Sequence, residues 1–215
     1  MERLQVAIEK ARAQRDQEGT PQTPTQHRKD PVKAEPDVSH QGTWDALEKL
    51  HVSAKQMRHN RIMAFEPGID SAPFDLLRTR VLQQAKHNGW RRIALVSPHS
   101  GCGKSTAAAN LGFSLSRHHN LHSIVLDFDL RRAGLTKILG QQLPFGMTDV
   151  LERKASFPDQ ARRISDNVAF GLNKSTKAIN PSELLQSSQT SQILDEITEQ
   201  YAPDIMLFIR QHVRH

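Results

Sequence analysis

Residues 97–106, SPHSGCGKST, place glycines, a lysine and hydroxyl side chains in a spacing that suits phosphate binding. Gly101 and Gly103 would let successive backbone N–H groups point at one anion, because glycine adopts backbone angles that other residues avoid. Lys104 would reach the β- and γ-phosphates of a nucleotide, and the Ser105 hydroxyl would bind Mg²⁺. The pattern departs from the strict motif at Pro98, where a glycine is usual.

The neighbouring sequence supports this interpretation. An apolar run at 93–96 predicts a strand, and residues 107–115 predict a helix. A strand, a glycine-rich turn and a helix, in that order, form the context that a phosphate-binding loop requires, and the start of the helix adds its positive dipole end. The alternative is that Gly-Lys-Ser occurs by chance in a helix cap. That alternative does not explain why a predicted strand precedes the turn.

Two carboxylates, Asp127 and Asp129, end a second apolar run at 123–126. Ligands of parallel sheets bind at the carboxyl ends of the strands, and two residues one position apart on a strand face the same side. We therefore predict that both aspartates end a strand adjoining that of the loop and hold Mg²⁺ together with Ser105. The alternative is that Asp127 caps the next turn while Asp129 pairs with a following arginine, Arg131 or Arg132.

The remaining patterns predict an α/β fold, because strand-like and helix-like segments alternate along the chain. A short strand is expected at 61–65, a helix from Ser71 to Asn88, and a helical face through Trp44, Leu47 and Leu50. We predict three parts: an amphipathic helix at 1–16, a disordered linker at 17–42 and a nucleotide-binding domain at 43–215.

Composition narrows the function classes. The 215 residues have a net charge of +6 and 37% apolar residues. The basic residues are scattered without interleaved aromatic residues, so we predict surface charge rather than nucleic-acid binding. Cys102 is the single cysteine, which suits a reducing cytoplasm. No apolar run approaches the ~20 residues of a membrane span, so any membrane association is expected to depend on a partner.

Several stretches resemble the cytoplasmic tyrosine kinases of bacterial capsule and exopolysaccharide synthesis, in the MinD/ParA-like branch of P-loop ATPases. They are SPHSGCGKSTAAANLGFSLS, VLDFDLRRAGL, FDLLRTRVLQ, NPSELLQS, YAPDIMLF and the opening MERLQVAIEKARAQR. The resemblance covers most of 43–208 and the first 16 residues. It implies a three-layer P-loop fold with a mainly parallel central sheet, a tyrosine autokinase activity that regulates exopolysaccharide polymerisation and export, and a family that tolerates Pro98.

The resemblance also implies site roles and partners. ATP and Mg²⁺ would be the cofactors, Asp127 would orient or deprotonate the attacking tyrosine, and Asp129 would hold Mg²⁺ through water. The activator would be a membrane polysaccharide co-polymerase at the inner membrane, and a homo-oligomer is left open. The nucleotide would be held by one run of residues: Ser100, Gly101, Cys102, Gly103, Lys104, Ser105 and Thr106.

The sequence departs from the family's pattern in several places. The family's last strand ends in an aspartate, whereas Ile209 follows DIMLF here, and Tyr201 is the single tyrosine. The subunit-contact motif Glu-x-x-Arg-x-x-Arg is degenerate, with Ala72, Asp75 and Arg78 at its positions. We therefore expect a chain truncated near Phe208, with an exposed sheet edge, weak nucleotide binding and impaired kinase activity. The alternatives are a MinD/ParA-like positioning ATPase and a non-catalytic docking module.

Overall fold

The computed structural model describes residues 38–99, 101–174 and 180–210. The predicted helix 1–16, most of the linker 17–42 and the last five residues lie outside these ranges. The helices are α1 Val38–Asp45, α2 Ala54–His59, α3 Ala72–Asn88, α4 Lys104–Ser116, α5 Gly134–Leu139, α6 Met147–Leu151, α7 Phe157–Gln160, α8 Pro181–Gln186 and α9 Ser188–Tyr201. The strands are β1 Arg92–Leu95, β2 Ser123–Asp127, β3 Ala161–Arg163, β4 Val168–Gly171 and β5 Ile205–Ile209.

The five strands form one sheet in the order β1-β5-β2-β4-β3. Four of them are parallel, and β3 pairs with β4 in the antiparallel direction. The predicted α/β fold with a mainly parallel sheet is confirmed. The strand of the phosphate-binding loop does not adjoin β2, however, because β5 lies between them with Leu95 and Asp127 both paired to Ile209.

Helices cover both faces of the sheet, which gives three layers. Strand residues alternate between the two apolar clusters, as the pleat of a strand requires. Val125 belongs to a cluster with residues of α2, α4 and α5, whereas Ile124 and Leu126 belong to a cluster with α1, α6 and α9. Because Asp127 is two residues after Val125, it lies on the face of the sheet that α4 covers.

The predicted strand at 61–65 is wrong. Residues Met63–Phe65 form a 3₁₀ turn. The buried side chain of Asn110 on α4 explains this: its Oδ1 accepts from the backbone N–H of Ala64 at 2.8 Å, and its Nδ2 donates to the carbonyl of Arg61 at 3.0 Å. These backbone groups are therefore satisfied by a side chain rather than by a neighbouring strand.

The segment before β1 also differs from the prediction. Helix α1 begins at Val38, inside the predicted linker, and ends at Asp45, so Trp44 and Leu50 do not share one helical face. Beyond the helix, the Leu50 N–H donates to the carbonyl of Arg163 at 2.7 Å, and the Arg163 N–H donates to the carbonyl of Glu48 at 2.9 Å. Residues 48–50 therefore run along β3. The polar sequence of β3 had not predicted a strand.

Gly112 sets the distance between α4 and the sheet. A Cβ atom at this position would lie 2.6 Å from Cζ of Phe170 and 3.5 Å from Cγ2 of Val125. The ring and the strand are buried, so neither has room to move away. The approach of α4 to the sheet therefore requires glycine here.

We expect Gly112→Ala to lower the free energy of unfolding by about 1–3 kcal/mol, because it overpacks a close-packed core. Urea denaturation followed by circular dichroism measures the change. Gly42→Ala is the matched control: Gly42 lies in helix α1 with open space around its Cα, so alanine there should stabilise the helix by about 0.5–1 kcal/mol. Equal stability of Gly112→Ala and the parent would contradict the packing described for α4.

Candidate phosphate and magnesium site

The loop after β1 adopts the backbone geometry that phosphate binding needs. Gly101 and Gly103 both have φ of 80°, in the left-handed region that favours glycine. Helix α4 begins at the next residue, Lys104, so its free N–H groups and positive dipole end open onto the loop. Cys102 is exposed in this loop. Ser100, which we predicted to contact the nucleotide, lies outside the described residues.

Lys104 is held at the loop rather than extended into solvent. Its Nζ donates to Oγ of Ser97 at 2.8 Å, and Oγ of Ser97 donates to the carbonyl of His99 at 2.7 Å. The lysine charge also acts on Asp127, since it lowers the pKa of that carboxyl against the larger effect of burial. Lys104 follows the loop after β1 and Asp127 ends β2, so both lie at the carboxyl edge of the sheet. The contact of Ser97 with Lys104 was not predicted, and the place of Ser97 directly after the apolar run 93–96 was the available signal.

The side chain of Asp127 caps the turn that follows β2. This was the alternative to a Mg²⁺ ligand that the sequence left open for Asp127. Its Oδ1 accepts from the N–H of Asp129 and its Oδ2 accepts from the N–H of Leu135, both at 3.1 Å. The side chain is fully buried, and burial raises its pKa to about 7. Direct contact of this carboxylate with substrate stays a prediction, since in this geometry its oxygens hold the turn in place.

The carboxylate of Asp129 has an oxygen atom available to bind a cation. The residue is 8% exposed, and its Oδ1 is buried without a hydrogen-bond partner. Within the described part of the chain it forms no ion pair with Arg131 or Arg132, which excludes that alternative there. A buried carboxylate oxygen with no partner is costly, and a bound cation would remove the cost.

Ser105 lies against the first residue of α5, the helix that follows the loop carrying Asp129. A Cβ atom on Gly134 would lie 2.5 Å from the Ser105 Oγ, so the glycine allows this approach. The Ser105 hydroxyl has no hydrogen-bond partner among the described residues. Gly134 lies in the stretch VLDFDLRRAGL, but its role beside Ser105 was not predicted.

These groups fit Mg²⁺, which prefers oxygen ligands and keeps phosphate and water oxygens in its shell. The described residues contain no cluster of three histidine, cysteine or acidic side chains that would hold a metal alone. Asp129 and Ser105 would hold the ion, with the phosphates supplying further oxygens. Ile209 lies beside Asp127 in the register of β5, so a buried apolar side chain stands where the resemblance implied an aspartate.

Arg78, which remains from the degenerate subunit-contact motif, has hydrogen-bond partners within the chain. Its Nη1 donates to the carbonyl of Ser114 at 2.7 Å and to Asp75 at 3.4 Å. Asp75 also accepts from the Ser114 hydroxyl at 2.5 Å and from Arg117. Arg78 therefore ties α3 to the end of α4 within one chain, whereas Arg80 is exposed.

The stability of the chain is expected to fall between pH 4 and pH 7 because of Asp127. Its folded pKa is raised from 3.8 to about 7, so in this interval the folded state binds a proton that the unfolded state has lost. The stabilising contribution is complete below pH 3.8, is lost as the pH rises through 7, and is on the order of a few kcal/mol. Urea denaturation at pH 5 and pH 8 measures it.

Asp127→Asn should flatten this pH dependence, because asparagine carries no proton to lose. Asp70→Asn is the control, since Asp70 is exposed and its substitution should leave the slope unchanged. An Asp127→Asn variant whose stability falls with pH as steeply as the parent's would contradict the assignment.

No family model matches the chain. The tyrosine-protein kinase YwqD of Bacillus subtilis (strain 168) is 25% identical over 154 residues, which cover 71% of this chain and 64% of YwqD. The tyrosine-protein kinase ptk of Acinetobacter johnsonii is 27% identical over 152 residues, which cover 68% of this chain and 20% of that protein.

The chain is similar in sequence to proteins named bacterial tyrosine-protein kinases. It spans about two thirds or less of the length of these relatives. The solved BceF tyrosine kinase domain has the same fold, with a TM-score of 0.59 at 24% identity over 82% of this chain and 76% of that domain. The predicted three-layer P-loop fold is thereby confirmed. No helix in the described ranges has the length and apolar character to cross a membrane.

Proposed function

We propose that the chain binds ATP with Mg²⁺ and transfers the γ-phosphate to tyrosine, as a kinase in the control of exopolysaccharide synthesis. One observation carries this: the lysine of a phosphate-binding loop and two buried aspartates converge at one edge of the sheet, and one of the aspartates lacks a partner. The names of the relatives, the tyrosine-protein kinases YwqD and ptk, support the choice of reaction. The membrane co-polymerase partner remains an expectation from the resemblance.

Each residue of the site has a definite task in this proposal. The backbone N–H groups at the start of α4 and the charge of Lys104 would hold the phosphates and neutralise their charge. Asp129 and the Ser105 hydroxyl would hold Mg²⁺, which when bound offsets charge on the β- and γ-phosphates. Asp127 would keep the turn after β2 in place, and its pKa of about 7 also suits proton transfer near neutral pH.

Ile209 is expected to lower the rate of phosphoryl transfer. A site with the family's third carboxylate would have one more group to orient the metal's water ligands, and an isoleucine side chain offers none. We therefore propose that turnover is slow, while nucleotide binding, which depends on the loop and Lys104, is retained. A chain that binds nucleotide without any phosphoryl transfer would fit the alternative of a docking module.

Fluorescent nucleotide titration with Mg²⁺ and with EDTA tests the metal site. We expect Mg²⁺ to tighten binding in the parent and Asp129→Asn to abolish that gain while leaving the EDTA value unchanged. Asp70→Asn is the matched control, because its carboxylate is exposed and belongs to a different part of the sequence. Nucleotide affinity that does not respond to Mg²⁺ in the parent would refute the metal assignment.

A further inference from the structure

The first turn of helix α5 borders the proposed metal site on two sides. Its first residue, Gly134, approaches the Ser105 side chain so closely that a Cβ atom would lie 2.5 Å from Oγ. Its second residue, Leu135, donates its backbone N–H to Oδ2 of Asp127 at 3.1 Å. A displacement of this turn would therefore change the distance between the Ser105 hydroxyl and the loop after β2, which carries Asp129.

Thr136, the third residue of α5, holds this turn against the sheet. The residue is 4% exposed. Its Oγ1 accepts from the backbone N–H of Asn173 at 3.2 Å and donates to the carbonyl of the same residue. Asn173 lies two residues beyond β4, the strand that pairs with β2. The threonine hydroxyl therefore links the helix to the strand that neighbours Asp127.

Asn173 is held in turn by residues at the start of α6. It is fully buried, and its Oδ1 accepts from the Thr148 hydroxyl at 3.3 Å. A Cβ atom on Gly146 would lie 2.8 Å from the same Oδ1 and would overlap the backbone nitrogen of Lys174. The segment after β4 is therefore fixed from two sides, and Thr136 connects α5 to a rigid part of the fold.

We propose that Thr136 is a positioning residue for the metal site. Its hydroxyl holds the first turn of α5 where Gly134 keeps the Ser105 hydroxyl beside the cation that Asp129 binds. This inference rests on the proposed function, in which the chain binds nucleotide with Mg²⁺. Partners that orient metal ligands without touching the metal contribute about 10–100-fold to metal affinity.

Thr136→Val tests the proposal, because valine keeps the shape of the side chain and removes the hydroxyl. The full chain is titrated with Mg²⁺ at a fixed concentration of a fluorescent ADP analogue. We expect the Mg²⁺ concentration that gives half of the gain in nucleotide binding to rise about tenfold, with the affinity in EDTA unchanged. Thr136→Ser restores the hydroxyl and should restore the parent value. A folded Thr136→Val protein with the parent's response to Mg²⁺ would overturn the proposal.

Thr190→Val is the matched control for a purely structural role. Thr190 is 3% exposed, and its Oγ1 donates to the carbonyl of Leu184 at 2.6 Å near the start of α9. Losing this hydroxyl should lower the stability in urea, as Thr136→Val does, while the response to Mg²⁺ stays that of the parent. Equal shifts of the Mg²⁺ response in both variants would show a general loosening of the fold and would overturn the proposal.

Gly146→Ala tests the same link from a different loop. The added Cβ would push residues 173–174 away, whereas the backbone φ of −136° at this position suits alanine. We expect the half-maximal Mg²⁺ concentration to rise here too, with the affinity in EDTA unchanged. Gly68→Ala is its control, because nothing lies within 4 Å of a Cβ atom there. A Gly146→Ala protein with the parent's response would overturn the part assigned to Asn173.

The parent protein distinguishes a failure of this proposal from a failure of the proposed function. A parent whose nucleotide affinity does not respond to Mg²⁺ would refute the proposed metal site, and the role of Thr136 with it. A parent that responds, beside a Thr136→Val protein with the same half-maximal Mg²⁺ concentration, would refute the positioning role alone.

Discussion

Lys104→Met should weaken nucleotide binding on the order of 100-fold and remove phosphoryl transfer. The ammonium group supplies the charge that faces the β- and γ-phosphates, and hydrogen bonds to charged groups contribute about 1.5–3 kcal/mol. Since about 1.4 kcal/mol corresponds to a factor of ten, the upper part of that range accounts for two orders of magnitude. Titration with a fluorescent ADP analogue measures the affinity, and phosphotyrosine detection measures the transfer.

The matched control for this variant is Lys137→Met. Lys137 is exposed on α5, so losing its charge should change nucleotide affinity little. Lys104→Met is also expected to raise the pKa of Asp127 further, because the lysine charge is one of the influences that lower it. Unchanged nucleotide affinity in a folded Lys104→Met protein would remove the basis of the phosphate site.

Trp44→Ala should lower the free energy of unfolding by about 3–5 kcal/mol, the range for truncating a large buried aromatic side chain. The indole is fully buried, its Nε1 donates to the carbonyl of Tyr201 at 2.9 Å, and its ring lies 4.9 Å from that of His122. The variant therefore opens a cavity between α1 and α9 and leaves a carbonyl without its donor. Urea denaturation gives the change.

The second tryptophan provides the control. Trp90 is 55% exposed, and Trp90→Ala should change the free energy of unfolding by at most about 0.5 kcal/mol. Trp44→Phe separates packing from the hydrogen bond, since it keeps an aromatic ring and removes the donor. We expect it to cost about 1 kcal/mol. Trp44→Ala as stable as Trp90→Ala would show that α1 contributes no packing energy to the core.

Some predictions from the sequence depended on local chemistry and were confirmed for that reason. The apolar runs that became β2 and β5 are buried on both faces, so a short continuous run of apolar residues was sufficient to predict them. The loop at 97–106 has glycines at the two positions with φ of 80°, and the helix after it begins at Lys104. Spacing along the chain determines these features.

Other features depended on groups distant in sequence. Residues 61–65 have strand-like alternation, yet Asn110 of α4 satisfies their backbone groups and a turn results. Strand β3 carries two arginines that are buried beside acidic partners: Arg162 contacts Glu48 at 3.0 Å, and Arg163 contacts Asp166 at 2.8 Å. The pattern of polar and apolar residues in the sequence does not reveal that these arginines are paired with acids and buried.

The sequence alone determined that this protein has a P-loop α/β fold, with Lys104 at the start of the helix that follows the loop and two aspartates at and just after the end of a strand. Only the tertiary structure distinguished the aspartates: the N–H groups of the next turn occupy both oxygens of Asp127, whereas Asp129 keeps a buried oxygen without a partner. It also placed the single tyrosine in the core, at the edge opposite the loop. The physical reason is that hydrogen bonding and burial depend on which backbone and side-chain groups the fold brings together, and residue type does not specify them.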